Sequence, residues 1–137
     1  MAWLAATPRP PVGSKRAKIE ADKPRLSRLD QMKNDGITPS MPLNPLPHIT
    51  ERLVEMGIVE AAGMGTAALS WREIDAWCAR TGVDLTPWEG RLIRRLSVEY
   101  LAESRRAEDE TCPPPWYNGP SRRAVETEQA RLEMLLG

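Results

Sequence analysis

Residues whose side chains could do covalent or metal chemistry are few and far apart in this chain. There is one histidine, His48, and there are two cysteines, Cys78 and Cys112. Nucleophilic catalysis needs a nucleophile, a base and usually an orienting group, and zinc needs three or four ligands. Because the three residues fall in different predicted elements, we expect no enzymatic activity, no metal and no cofactor. The enzyme alternative requires that Cys78 or Cys112 be reactive at neutral pH.

Two other patterns could suggest a site but are incomplete. Glu108-Asp109-Glu110 offers adjacent carboxylates at the end of a predicted helix, where solvation is the simpler interpretation. Gly63-Met64-Gly65 is too short for a phosphate-binding loop, follows no predicted strand and is not followed by Lys-Ser/Thr. We therefore turn to the elements that the sequence predicts and to the surfaces they carry.

The N-terminal third differs from the rest in composition. Residues 1–48 contain eight Lys/Arg, four Asp/Glu and eight of the 13 prolines, although the whole chain has a formal net charge of zero. This pattern predicts a basic, proline-rich arm over 1–46, with one short helix near 25–33 and a partly polyproline II linker over 37–47.

Residues 47–116 predict a helical core domain built on a hairpin of two helices. We expect a short helix over 48–56, a flexible connector over 61–68, and hairpin helices over 71–80 and 87–109. Ser70 to Glu73 and Thr86 to Glu89 each have capping-box spacing, and Gly82 ends the first hairpin helix. The predicted core and cap residues are Ser70, Glu73, Ile74, Trp77, Thr86, Trp88, Glu89, Leu92, Leu96 and Tyr100.

Residues 117–137 predict a further helix with apolar side chains along one side. Three prolines, Pro113 to Pro115, separate it from the hairpin and present an aromatic pair. The candidate partner interface consists of Trp116, Tyr117, Val125, Leu132, Leu135 and Leu136. The predicted fold class is thus all-α: a small helical domain, an extended arm and a C-terminal helix. A core this small makes homo-oligomerisation or another partner a reasonable expectation.

The hairpin resembles the tail assembly chaperones of long-tailed bacteriophages and prophages. The matching residues cover about 46–116 and are structural: Gly63-Met64-Gly65, Leu69-Ser70-Trp71, Ile74, Trp77, Thr81-Gly82, Leu85, Pro87-Trp88-Glu89, Leu96-Ser97, Tyr100-Leu101 and Pro115-Trp116. The resemblance implies a non-enzymatic helical protein of the host cytoplasm that is absent from the mature virion. It also implies two partners, the tape-measure protein and the tail-tube protein, during tail morphogenesis.

A small nucleic-acid-binding phage regulator or packaging factor is the alternative. It would use the basic residues of 9–33 and the arginines of the long helix to contact phosphates. Acidic residues interrupt the arm, and Trp3 is its only aromatic residue, so nucleic acid is not the expected partner. No run approaches the ~20 apolar residues of a membrane span, and we expect no membrane association.

Overall fold

The structure is a computed structural model that describes residues 1–116 and 122–137. In these ranges the elements are α1 (Ala2–Ala5), α2 (Lys15–Ile19), α3 (Arg28–Asn34), α4 (Pro47–Glu55), β1 (Val59–Ala62), β2 (Gly65–Ala68), α5 (Trp71–Thr81), α6 (Pro87–Arg106) and α7 (Arg122–Leu136). The predicted hairpin helices correspond to α5 and α6. About half of the chain is helical, so helices dominate a mixed fold.

The prediction of an all-α fold is wrong because an antiparallel β-hairpin lies where a flexible connector was expected. Strands β1 and β2 pair from Val59 with Ala68 to Ala62 with Gly65. Gly63 takes the first position of the two-residue turn with φ 56°, a left-handed conformation that glycine adopts without steric cost. Only Val59 and Thr66 of these eight residues favour strands, whereas four alanines, Glu60 and Gly65 do not, so local composition did not reveal the hairpin.

The short helix predicted near 25–33 is present as α3, but the prediction that the rest of the arm is extended is wrong. Residues 1–36 contain three short helices, and α1 packs against α3 and α6. Ala2 and Leu4 of α1 are buried, with 5% and 4% of their surface exposed. This packing is possible because the end of α6 offers an apolar surface, including the fully buried Ala107. Residues 37–46 form neither helix nor strand, as predicted for the linker.

The main core lies between α4, the β-hairpin, α5 and α6. Its buried residues are Ile49, Leu53, Leu69, Ile74 and Ile93. The chain enters this core from α4 through a Schellman ending, in which Ile58 N–H donates to Leu53 O and Gly57 N–H donates to Val54 O. Ile58 itself has φ 68°, a strained conformation for a β-branched residue.

A buried serine joins the β-hairpin to the long helix. Ser97 is fully buried in the middle of α6, and its hydroxyl donates to the Ile58 carbonyl oxygen. The same hydroxyl accepts from the backbone N–H of Leu69 at 2.9 Å. Both ends of the hairpin are therefore held by one side chain, which also helps to keep Ile58 in its strained conformation.

Candidate protein-binding surfaces

The starts of α5 and α6 differ, although their sequences follow one plan. At α6 the capping box is complete: Thr86 accepts from Glu89 N–H, and the Glu89 carboxylate accepts from Thr86 N–H at 2.9 Å. At α5 Ser70 accepts from Glu73 N–H, but its own N–H and hydroxyl donate to Glu60 of β1 at 3.1 and 3.0 Å. The predicted capping role of the Glu73 side chain was wrong, because β1 brings the Glu60 carboxylate to the Ser70 N–H that Glu73 was expected to bond.

The other predicted core residues separate according to the side of α6 on which they lie. Leu92 and Leu96 pack against the core, and Tyr100 is half-buried. Trp88 was placed in the core incorrectly, since 54% of it is exposed. Each four-residue step turns a helix by roughly 40° beyond a full circle, so the row from Trp88 to Tyr100 drifts across the surface. The buried side centres instead on Gly90, Ile93 and Ser97.

Two residues from the first hairpin helix complete the predicted set. Ile74 is buried in the core, whereas Trp77 is half-buried, and its indole N–H has no hydrogen-bond partner among the described residues. Gly82 ends α5 in the left-handed conformation with φ 70°, as predicted. Local signals thus located both helix starts and the stop between them.

Trp116 lies against the chain's own N-terminal segment. Its ring packs edge-to-face on Trp3 with 5.7 Å between ring centroids. The Trp3 indole N–H donates to the Cys112 carbonyl oxygen at 2.8 Å, and the Arg28 guanidinium lies 4.5 Å from the Trp3 ring centroid. One face of the proposed anchor is therefore occupied within the chain, and the other member of the pair, Tyr117, lies outside the described residues.

Arg28 joins this aromatic cluster to the end of α6. It is 8% exposed, and its guanidinium donates to the carbonyl oxygens of Ala107, Asp109 and Trp3 at 2.6, 2.8 and 3.1 Å. Burial lowers the pKa of Arg28, but the residue stays charged because arginine titrates far above neutrality. A cation at this place satisfies carbonyl groups that a helix end leaves unpaired. Sequence reasoning considered Arg28 only as a phosphate contact in the nucleic-acid alternative and missed this role.

Helix α7 carries the predicted apolar surface in exposed form. Val125 and Leu132 are 46% and 51% exposed, and Leu135 and Leu136 are 75% and 86% exposed. The described side chains of this helix are all exposed. Apolar side chains that are spaced along one side of a helix and left in water are typical of a protein-binding surface.

The residues considered for chemistry remain apart. His48 Nε2 lies 4.0 Å from a carboxylate oxygen of Glu89, which also pairs with Arg52 at 3.4 Å. Burial raises the pKa of both Cys78 and Cys112, which favours the protonated and less nucleophilic thiol. Across residues 1–116 and 122–137, no three His, Cys, Asp or Glu side chains cluster as metal ligands would.

Comparison with known proteins found no match: no protein-family model, no curated protein and no solved structure matches this chain. Over its described residues, none of the helices is long and apolar enough to cross a bilayer.

Proposed function

We propose that this chain is a non-enzymatic tail assembly chaperone that binds the tape-measure protein of a long-tailed phage. In the cytoplasm of the bacterial host it helps to bring tail-tube subunits to the tape measure and does not remain in the mature virion. The hairpin resemblance supports this proposal, because several of the matching residues, among them Leu69, Ser70, Ile74 and Gly82, form the core and helix ends.

The exposed apolar side of α7 is the observation that carries the proposal. Burying a leucine side chain completely contributes about 1.5–3 kcal/mol, so the exposed Leu132, Leu135 and Leu136 favour association with an apolar partner. A tape measure is a long helical protein, and its apolar stripes need cover before the tail tube encloses them. Packing of α7 against a helix of the tape measure would bury the apolar side chains of both helices.

The nucleic-acid alternative loses part of its support from the contacts of the arm. Arg28 is buried on backbone carbonyls, and Arg16 pairs with Glu110 at 3.2 Å. Both are among the basic residues that the nucleic-acid alternative would use to contact phosphates. The arm therefore offers fewer free cations than its composition indicated.

Co-expression with the tape-measure and tail-tube proteins encoded nearby tests the proposal. We expect a soluble complex with several copies of this chain per tape measure, where the tape measure alone precipitates. Pull-down followed by size-exclusion light scattering measures the stoichiometry.

Substitutions then test the surface. Leu132→Asp, alone and with Trp116→Ala, should return the tape measure to the insoluble fraction. Ala130→Asp places the same charge on the opposite side of α7 and should leave the complex intact. An unchanged complex with the double variant would show that these residues do not form the interface, and precipitation despite the wild-type chain would reject the chaperone function.

A further inference from the structure

A second exposed surface lies on the side of α6 next to α5. We call it the arginine stripe: Arg91, Arg94, Val98 and Arg105, which follow one line along the helix at intervals of three, four and seven residues. All four are exposed, and Val98 is 42% exposed. Among the described residues, none of these three arginines forms an ion pair within 4 Å.

Trp71 borders the stripe and packs against a glycine of α6, which leaves room for its ring. Its ring lies over Gly90, where an added Cβ would come within 3.3 Å of Trp71 Cζ3. The Arg94 guanidinium lies 5.9 Å from the ring centroid, and 48% of Trp71 is exposed. Beside the ring is a cleft of about 330 Å³, whose lining combines the apolar Ile74 and Leu85 with Asp75, Thr86 and Arg91. Tryptophan and arginine side by side around a cleft are typical of interface centres.

Helix α7 has the complementary pattern. Its first two residues are Arg122 and Arg123, and from Ala124 onward, where its apolar side chains lie, it carries three glutamates and one arginine. Glu126 and Glu133 lie seven residues apart along one edge of the line formed by Val125 and Leu132, a separation of roughly 10.5 Å along the helix. An apolar line with acidic residues on its edge is complementary in charge to a cleft bordered by arginines.

We propose that α7 of one copy of this chain docks on the arginine stripe of a second copy, with leucine side chains of α7 entering the cleft beside Trp71. The two surfaces differ, so the contact is head-to-tail, and a pair of copies keeps one free α7 on one copy and one free stripe on the other. This self-association goes beyond the proposed function, because it requires no phage partner.

The test uses full-length chains that each lack one surface. Leu132→Asp removes the helix surface, and Arg94→Glu removes the stripe. Arg80→Glu reverses an exposed arginine of α5 outside the stripe and serves as the control. Circular dichroism verifies that each variant is folded. Light scattering after size exclusion is measured from about 5 to about 200 µM, which brackets the micromolar affinity expected of a small interface.

We expect the wild type and Arg80→Glu to grow in mass with concentration, while each surface variant alone stays at the 15.3 kDa of one chain. An equimolar mixture of Leu132→Asp and Arg94→Glu should form a complex of two chains and no larger one, because only one productive contact remains. Adding Glu133→Arg to Arg94→Glu should recover at least about tenfold in affinity through the restored charge pair.

Three results would overturn this proposal. A wild type that stays monomeric over the whole range excludes self-association. If Arg94→Glu still associates while Leu132→Asp does not, α7 pairs with α7 instead. If the stripe arginines retard DNA in a salt-dependent way while the protein stays monomeric, the stripe binds phosphate. Since only this chain is present, failure here leaves the tape-measure test unaffected.

Discussion

The guanidinium of Arg28 donates to the carbonyl oxygen of Ala107 at 2.6 Å, across a separation of 79 residues. This hydrogen bond connects the N-terminal segment to the end of α6, the helix on which the core is assembled. It also explains why α1 and α3 pack on the core domain, although the composition of residues 1–46 predicted an extended arm. The end of α6 presents carbonyl groups, and the buried Arg28 guanidinium donates hydrogen bonds to them.

Replacing Arg28 should destabilise the fold. We expect Arg28→Ala to lower the free energy of unfolding by about 2–4 kcal/mol, because three carbonyl hydrogen bonds to a charged donor are lost. Arg28→Lys should restore only part of this, since lysine lacks the planar fork. Urea unfolding measures the effect. Arg25→Ala, at an exposed position in the same segment, is the control, and an equal loss in both variants would contradict the role of Arg28.

Glu60 should matter more than Glu73 for the start of α5. Glu60→Ala removes the acceptor for both Ser70 groups, and we expect a loss of about 1–2 kcal/mol in the free energy of unfolding. Glu73 is exposed and supplies only its backbone N–H, so Glu73→Ala should cost about 0.5 kcal/mol or less. Denaturant unfolding of both variants decides between them. A larger loss of unfolding free energy for Glu73→Ala than for Glu60→Ala would support the capping box that the sequence predicted.

Ser97→Ala should loosen the β-hairpin. The change leaves Leu69 N–H and Ile58 C=O without their partner in the core, at a cost of about 1–3 kcal/mol. Hydrogen exchange should report faster exchange at Leu69 than elsewhere in the core. Ser104→Ala, half-buried two turns later on α6, serves as the matched control. Unchanged protection of Leu69 would show that the hairpin holds without the hydroxyl.

Stability should fall in acid through Glu89. The backbone N–H of Thr86, together with Arg52 and His48, lowers the pKa of Glu89. The unfolded chain therefore binds this proton more tightly, so the stabilisation is present above the ordinary glutamate value of about 4.3 and is lost as pH falls through the lowered folded value. Melting temperatures of Glu89→Gln from pH 7 to 3 should decline less than those of the wild type. The control Glu99→Gln should decline as the wild type does. If the curves of Glu89→Gln and the wild type were identical, Glu89 would not be a source of the loss of stability in acid.

Both thiols should react slowly in the native protein. Burial raises the pKa of Cys78 and Cys112, so at neutral pH the thiolate fraction of each is below that of a free cysteine. Iodoacetamide labelling followed by mass spectrometry should be slow in buffer and fast in denaturing urea. Rapid native labelling of either residue would revive the cysteine-dependent enzyme.

The sequence by itself determined the elements whose hydrogen bonds close within about four residues. The hydroxyls that cap α5 and α6 and the N–H of the left-handed Gly82 bond to backbone groups within four residues. Pro87 fits the first turn of α6 because no N–H is needed there, so these residue types were sufficient evidence. The exposed apolar side of α7 was likewise readable from helical periodicity, because no distant contact is needed to place it.

Only the tertiary structure decided the features that depend on distant atoms. The β-hairpin is secured by Ser97, the N–H of Ser70 is taken by Glu60 rather than by a cap residue, and Trp116 packs on Trp3 across the length of the chain. The arginine stripe next to Trp71 also arises only when α5 packs on α6. In each case the local sequence allows several conformations or hydrogen-bond partners. The free energy of burial and pairing between distant segments selects one of them.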